Sequence, residues 1–189
     1  DVHARLMARF KTVPLWWYGA TFLIMFGMAL GVTQGYPTHL TWWAFILSQI
    51  LAIVWFVPIG MVQATTNIQI GLNVFTEFII GYMQPGRPMA MMLFKTFGYI
   101  TMSQGLYFCQ DLKIGHYMKI PPRVTFSAQM IACLWSSFVQ VGVLNWALNN
   151  ITDVCDQRQR NHFSCPNGRV FFNASVIWGA IGPARMFSP

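Results

Sequence analysis

The 189 residues are 55% hydrophobic and 9% charged, whereas soluble domains carry about a quarter of their residues as charges, so a water-exposed globule could not be covered. The formal charge is +7, but the lysines and arginines are scattered at the ends of apolar runs and form no basic face, which excludes nucleic acid as a partner. A mean hydropathy of +0.46, with 8 Trp and 16 Phe, fits an integral, multi-pass protein of the lipid bilayer, and the fold class expected is an all-α, polytopic transmembrane helix bundle.

The chain opens Asp1-Val2-His3, with no initiator Met and no basic, apolar and cleavable stretch. No signal peptide is expected, and processing or truncation is expected to have removed the start. The first predicted span, 14–35, follows Arg5, Arg9 and Lys11 and is long enough for a ~30 Å hydrocarbon core. Within it Gly27, Gly31 and Gly35 recur every fourth residue, a small-residue face that admits a second helix closely. Residues 40–63 form the second span, anchored by Trp42 and Trp43 at an interface.

The third span, 64–84, carries Thr66, Gln69, Asn73 and Glu77 at three-and-four spacing, which predicts one polar stripe on a continuous helix. Pro85-Gly86-Arg87-Pro88 breaks it, and 89–108 resumes as the fourth span, so the two should form a hairpin. A charged cytosolic loop is expected over 109–123, with Pro121-Pro122 in the first turn of the fifth span, 124–148. Residues 150–169 are polar and read as an extracellular loop, and 170–182 as a partial last span; the whole is a single transmembrane region. Clustering of Lys and Arg on the cytoplasmic side agrees with this alternation for Lys113, Lys119 and Arg123, and disagrees for Arg158, Arg160 and Arg169. An outside loop permits a Cys155–Cys165 disulfide. A zinc site is the alternative, with His162 as the nearby further ligand, and the disulfide is preferred.

Of 5 acidic residues, Glu77 alone falls deep in a predicted span, which marks it as a functional candidate. Glu77 and Lys95 each lie eight or nine residues from the hairpin turn, at similar depth, ~13 Å from it. They either neutralise one another or form a proton site with its partner. Lys95, Tyr99, Ser103 and Tyr107 make a second polar stripe. Gln129, Cys133, Ser136 and Gln140 make a third, so one shared cavity is expected for substrate and proton. No catalytic constellation appears: there is no His-Glu-x-x-His, no second membrane carboxylate beside Glu77 and no histidine within a span, so neither an enzyme nor a resident metal is expected.

The segment Lys119-Ile120-Pro121-Pro122-Arg123 resembles the Lys-Ile-Pro-Pro-Arg motif of the oligopeptide transporter family. Gly71-Leu72-Asn73, Gly81-Tyr82, Phe94-Lys95-Thr96, Gly115-His116-Tyr117-Met118, Cys165-Pro166 and Phe171-Phe172-Asn173-Ala174-Ser175 are similar to that family too, so the resemblance covers nearly the whole chain. It implies proton-coupled uptake of small peptides, tetra- and pentapeptides or glutathione-like molecules, through a many-helix bundle in the plasma membrane, with the proton as coupling ion and no other cofactor. The family's full chains are several times longer, and its upstream Asn-Pro-Gly motif has no counterpart here. The rest of a transporter chain is therefore an expected partner beside the peptide substrate. A related branch carrying metal chelates is the alternative, as is a non-transporting structural or regulatory subunit. In the motif, Lys119 and Arg123 read either as interface anchors or as contacts for a substrate carboxylate.

Overall fold

The computed structural model describes residues 2–151 and 165–187. In chain order the helices are α1 (Val2–Met7), α2 (Leu15–Gly35), α3 (Trp42–Thr66), α4 (Asn73–Met83), α5 (Pro88–Lys95), α6 (Thr101–Tyr117), α7 (Pro122–Asn150), α8 (Pro166–Ala174) and α9 (Pro183–Phe187). π-Helical turns at Thr96–Ile100 and Ser175–Ile181 join α5 to α6 and follow α8, and no strand occurs among the described residues. By length and apolar composition α2, α3 and α7 can each cross a membrane. The fold is all-α and helical throughout its core, as composition and periodicity predict.

Two compact units divide the chain. One holds Leu15–Cys109 and Phe171–Pro189. Its main core joins Phe45 of α3, Ile80 of α4 and Met91 and Phe94 of α5, all nearly sealed from the surface. A second cluster, with Ala52, Ile59, Leu72, Met102 and Leu106, lies further along α3 and at the start of α6. α2 joins the main core through Phe26, Ala29 and Leu30. Its predicted close-packing glycines, Gly27, Gly31 and Gly35, have nothing within 4 Å of where a Cβ would stand. The small-residue face is thus unpaired among the described residues.

The continuous helix expected over 64–84 is absent. Asn67 adopts a left-handed conformation, φ 58°, and its N–H closes α3 on the carbonyl of Gln63; Asn tolerates this conformation because its short side chain bonds locally. Residues 67–72 then run without helix until α4 begins at Asn73. Thr66 and Gln69 are therefore not on a helical stripe with Asn73 and Glu77. The hairpin about residues 84–87 does form, and it is tied down: Gln84 Nε2 donates to Thr41 Oγ1 at 2.6 Å, Arg87 Nη1 to the His39 carbonyl at 3.2 Å, and the Gly86 N–H to the Gly179 carbonyl at 2.9 Å. Close backbone approach locks the same end. A Cβ on Gly179 would stand 2.7 Å from Pro88 Cα, and one on Gly81 2.9 Å from the Trp178 carbonyl.

The other unit holds Asp1–Pro14 and Gln110–Val170. Much of the loop expected over 109–123 is helical, since α6 continues to Tyr117. Lys119 then turns left-handed, φ 61°. Its N–H reaches the His116 carbonyl, and the Ile120 N–H reaches the Gly115 carbonyl at 3.0 Å. This pair of bonds is a Schellman cap, with lysine where glycine is usual. Pro121 precedes α7, and Pro122 occupies its first turn, where no amide is needed. Gly115 lets the helices close on each other, because a Cβ there would meet Thr125 at 3.1 Å. Most of α7 is exposed: Phe126 is its buried residue, and 131–146 are exposed throughout.

Candidate functional site

α4 starts at Asn73, and within its first turn Thr76 Oγ1 donates back to the Leu72 and Asn73 carbonyls. One turn on, Glu77 points into the hairpin and meets Lys95 of α5, with Nζ and Oε1 2.5 Å apart. Glu77 is 3% exposed and Lys95 7%, so water does not screen the pair from its surroundings. Phe171 sets its ring face 4.8 Å from the ammonium, a cation–π contact that adds attraction independent of Glu77. Hydropathy and spacing gave no signal for Phe171, because it reaches the site from a helix far along the chain.

Directly after Lys95 comes the π-helical turn Thr96–Ile100, a device often found at functional sites because it re-aims side chains within a helix. Beyond it the predicted stripe continues onto α6. Tyr99 packs on Gly71, where a Cβ would stand 3.3 Å from its ring, and the Tyr107 hydroxyl donates to Gln69 Oε1 at 2.8 Å. Ser103 lies between these tyrosines, one turn from each. It is 7% exposed, and its Oγ finds no hydrogen-bond partner among the described residues. Asn73 Oδ1 is likewise buried without a partner. The stripe thus faces Glu77 at one end and the non-helical residues 67–72 along the rest.

Residues 67–72 return the chain from the end of α3 to the start of α4; Asn67 is left-handed and Leu72 stands at φ −85°, ψ 17°, which leaves residues 68–71 between them. Gln69 and Gly71 meet the tyrosines of α6, Ile68 and Ile70 are 63% and 47% exposed, and Leu72 is buried.

The remaining predicted residues belong to the other unit. Gln129 donates through Nε2 to Asp111 Oδ2 at 2.9 Å, while Gln140 is exposed on α7. Arg123 Nε donates to the Thr12 carbonyl at 3.0 Å. Together with the left-handed cap at Lys119, this gives Lys119-Ile120-Pro121-Pro122-Arg123 a structural use: it ends one helix, starts the next and ties the turn to the preceding chain. Cys165 is disulfide-bonded, whereas Cys109 and Cys133 are free thiols. Cys155 and the alternative ligand His162 lie outside the described residues.

A family model described as "OPT oligopeptide transporter protein" matches residues 1–188. Along its whole length the chain is 61% identical to the sexual differentiation process protein isp4 of Schizosaccharomyces pombe, covering 24% of that protein, and 47% identical to oligopeptide transporter 1 of Arabidopsis thaliana, covering 26%. Over 99% of its length it is 45% identical to glutathione transporter 1 of Schizosaccharomyces pombe, covering 22% of it. The chain spans about a quarter of the length of these relatives. No solved structure matches it.

Proposed function

The chain belongs to the oligopeptide transporter family, whose members named above for an activity are transporters rather than enzymes, and on that premise we propose that the full-length protein imports small peptides across the plasma membrane together with protons. The substrates are tetra- and pentapeptides or glutathione-like molecules. The observation that carries the proposal is the buried Glu77–Lys95 pair. An ionised side chain left alone at bilayer depth costs about 3 kcal/mol on insertion scales, so neither residue is stable there without its partner.

A proton on Glu77 removes the negative charge and leaves the Lys95 ammonium held by the Phe171 ring alone. A substrate carboxylate then supplies the missing counter-charge. Release of the substrate restores the need for an ionised Glu77, which gives up its proton. Proton and peptide therefore travel together because they bear on the same ammonium, and the coupling lies in the differing affinity of the protonated and ionised states for an anion. Asn73, Tyr99 and Ser103 extend the polar path beyond the pair, and Gln129 and Gln140 are proposed path residues of α7.

The test is uptake of a labelled tetrapeptide by cells expressing the complete reading frame, with and without an imposed proton gradient. Gradient-driven uptake that Glu77→Gln abolishes, with the protein still at the cell surface, is the expected result. Uptake indifferent to the gradient would overturn the coupling. Transport of an iron chelate in place of the peptide would move the protein to the metal-chelate branch.

A further inference from the structure

We propose that residues 67–72 bind the main chain of the transported peptide, which lies along them as an added strand. This rests on the peptide reading given above and names the part of the path that would recognise the substrate. Two observations carry it, against the rule that backbone amides in a membrane protein need a partner from protein or from a wet path. Among the described residues the backbone groups of Gln69, Ile70 and Gly71 make no hydrogen bond. Ile68 and Ile70 are exposed while Gln69 and Gly71 touch the tyrosines of α6, so the described residues leave this stretch uncovered on one side.

Non-helical backbone left unpaired in this way is a template for an extended chain. Main-chain pairing of this kind recognises what all peptides share and leaves their side chains largely unread. Its size also suits the substrate, since four residues, 68–71, lie between the left-handed Asn67 and Leu72, and four residues of a peptide strand span roughly 13 Å. Ser103 Oγ and Asn73 Oδ1, both buried and unpartnered, stand beside the stretch and offer the further polar contacts that a dry pocket would lack. The stretch also leads into α4 one turn before Glu77, so a peptide bound along it has its end close to Lys95.

The test uses the full-length transporter. Each internal amide of a transported tetrapeptide is N-methylated in turn, which removes one donor, and the analogues compete against the labelled parent. In parallel, Ile68→Cys and Ile70→Cys transporters react with a charged methanethiosulfonate, with and without the parent peptide. Loss of one main-chain bond should weaken competition by at least one analogue about ten-fold or more, and the parent should slow modification of both cysteines. Any of three results overturns the proposal: analogues that all compete as well as the parent, cysteines that the reagent never reaches because another part of the chain covers the stretch, or modification that the parent does not slow. Failure of the parent itself to be taken up is a separate outcome, which removes the peptide reading and this occupant with it.

Discussion

Two charged side chains sealed in a hairpin serve either stability or transport, and the two roles separate experimentally. Lys95→Met leaves an ionised Glu77 buried without its partner, a change that typically costs about 3–5 kcal/mol, and should show as loss of folded, monodisperse protein in detergent. Adding Glu77→Gln removes the stranded charge. The double variant should recover most of the folded protein while remaining inactive in gradient-driven uptake; a double variant that still concentrates peptide would leave the pair a purely structural role. Lys119 makes an opposite case. Its left-handed backbone, φ 61°, is strained for any residue with a Cβ by about 1–2 kcal/mol. Lys119→Gly should therefore hold or raise the thermal midpoint. Unchanged uptake in that variant fits the motif as a helix cap and anchor, whereas lost uptake at full stability would assign its ammonium a contact with substrate.

At the scale of helices, the hairpin end depends on backbones that touch. Gly179→Ala would place a methyl 2.7 Å from Pro88 Cα, a contact with main chain that cannot rotate aside. Overpacking of this kind costs typically about 1–3 kcal/mol, so the thermal midpoint should fall by several degrees, while Gly27→Ala, with open space around it, should leave the isolated region unchanged. The Glu77–Lys95 pairing was legible in the sequence because proline and glycine mark the turn and both residues are counted from it. The break at Asn67 was not, since the stretch 64–84 is apolar enough to insert and its polar residues happen to fall at helical spacing. The signal lay in the six residues Asn67-Ile68-Gln69-Ile70-Gly71-Leu72, whose apolar positions alternate with a period of two. Against the helical spacing of Asn73 and Glu77 that short alternation is easily overlooked. The contact of Phe171 with Lys95 was not legible either, although its segment resembles the family, because nothing local to it speaks of a lysine 76 positions earlier.

At the scale of the molecule, many large apolar side chains of the described residues are exposed. α7 is exposed over 131–146, and the glycine face of α2 has no neighbour, while the relatives are about four times as long. Gly31→Leu in the full-length protein should therefore impair assembly of this region with the remainder. If the two parts are expressed as separate polypeptides, less of one should co-purify with the other; undiminished co-purification would show that the glycine face packs against nothing. Within the larger unit the fastenings are unevenly shared. Gln84, Arg87 and Gly86 clamp one end to Thr41, His39 and Gly179 by hydrogen bonds, whereas toward the far end the hold is mainly apolar, Met102 and Leu106 packing with Ala52, Ile59 and Leu72, beside two tyrosines on residues 69 and 71. Lys95 stands seven residues beyond Pro88, about 10 Å along the axis, and Tyr107 nineteen, about 29 Å. Any rocking about the hydrogen-bonded end would therefore displace the Tyr107 end about three times as far as the ion pair, and slippery apolar contacts yield to such a motion more readily than directional bonds do.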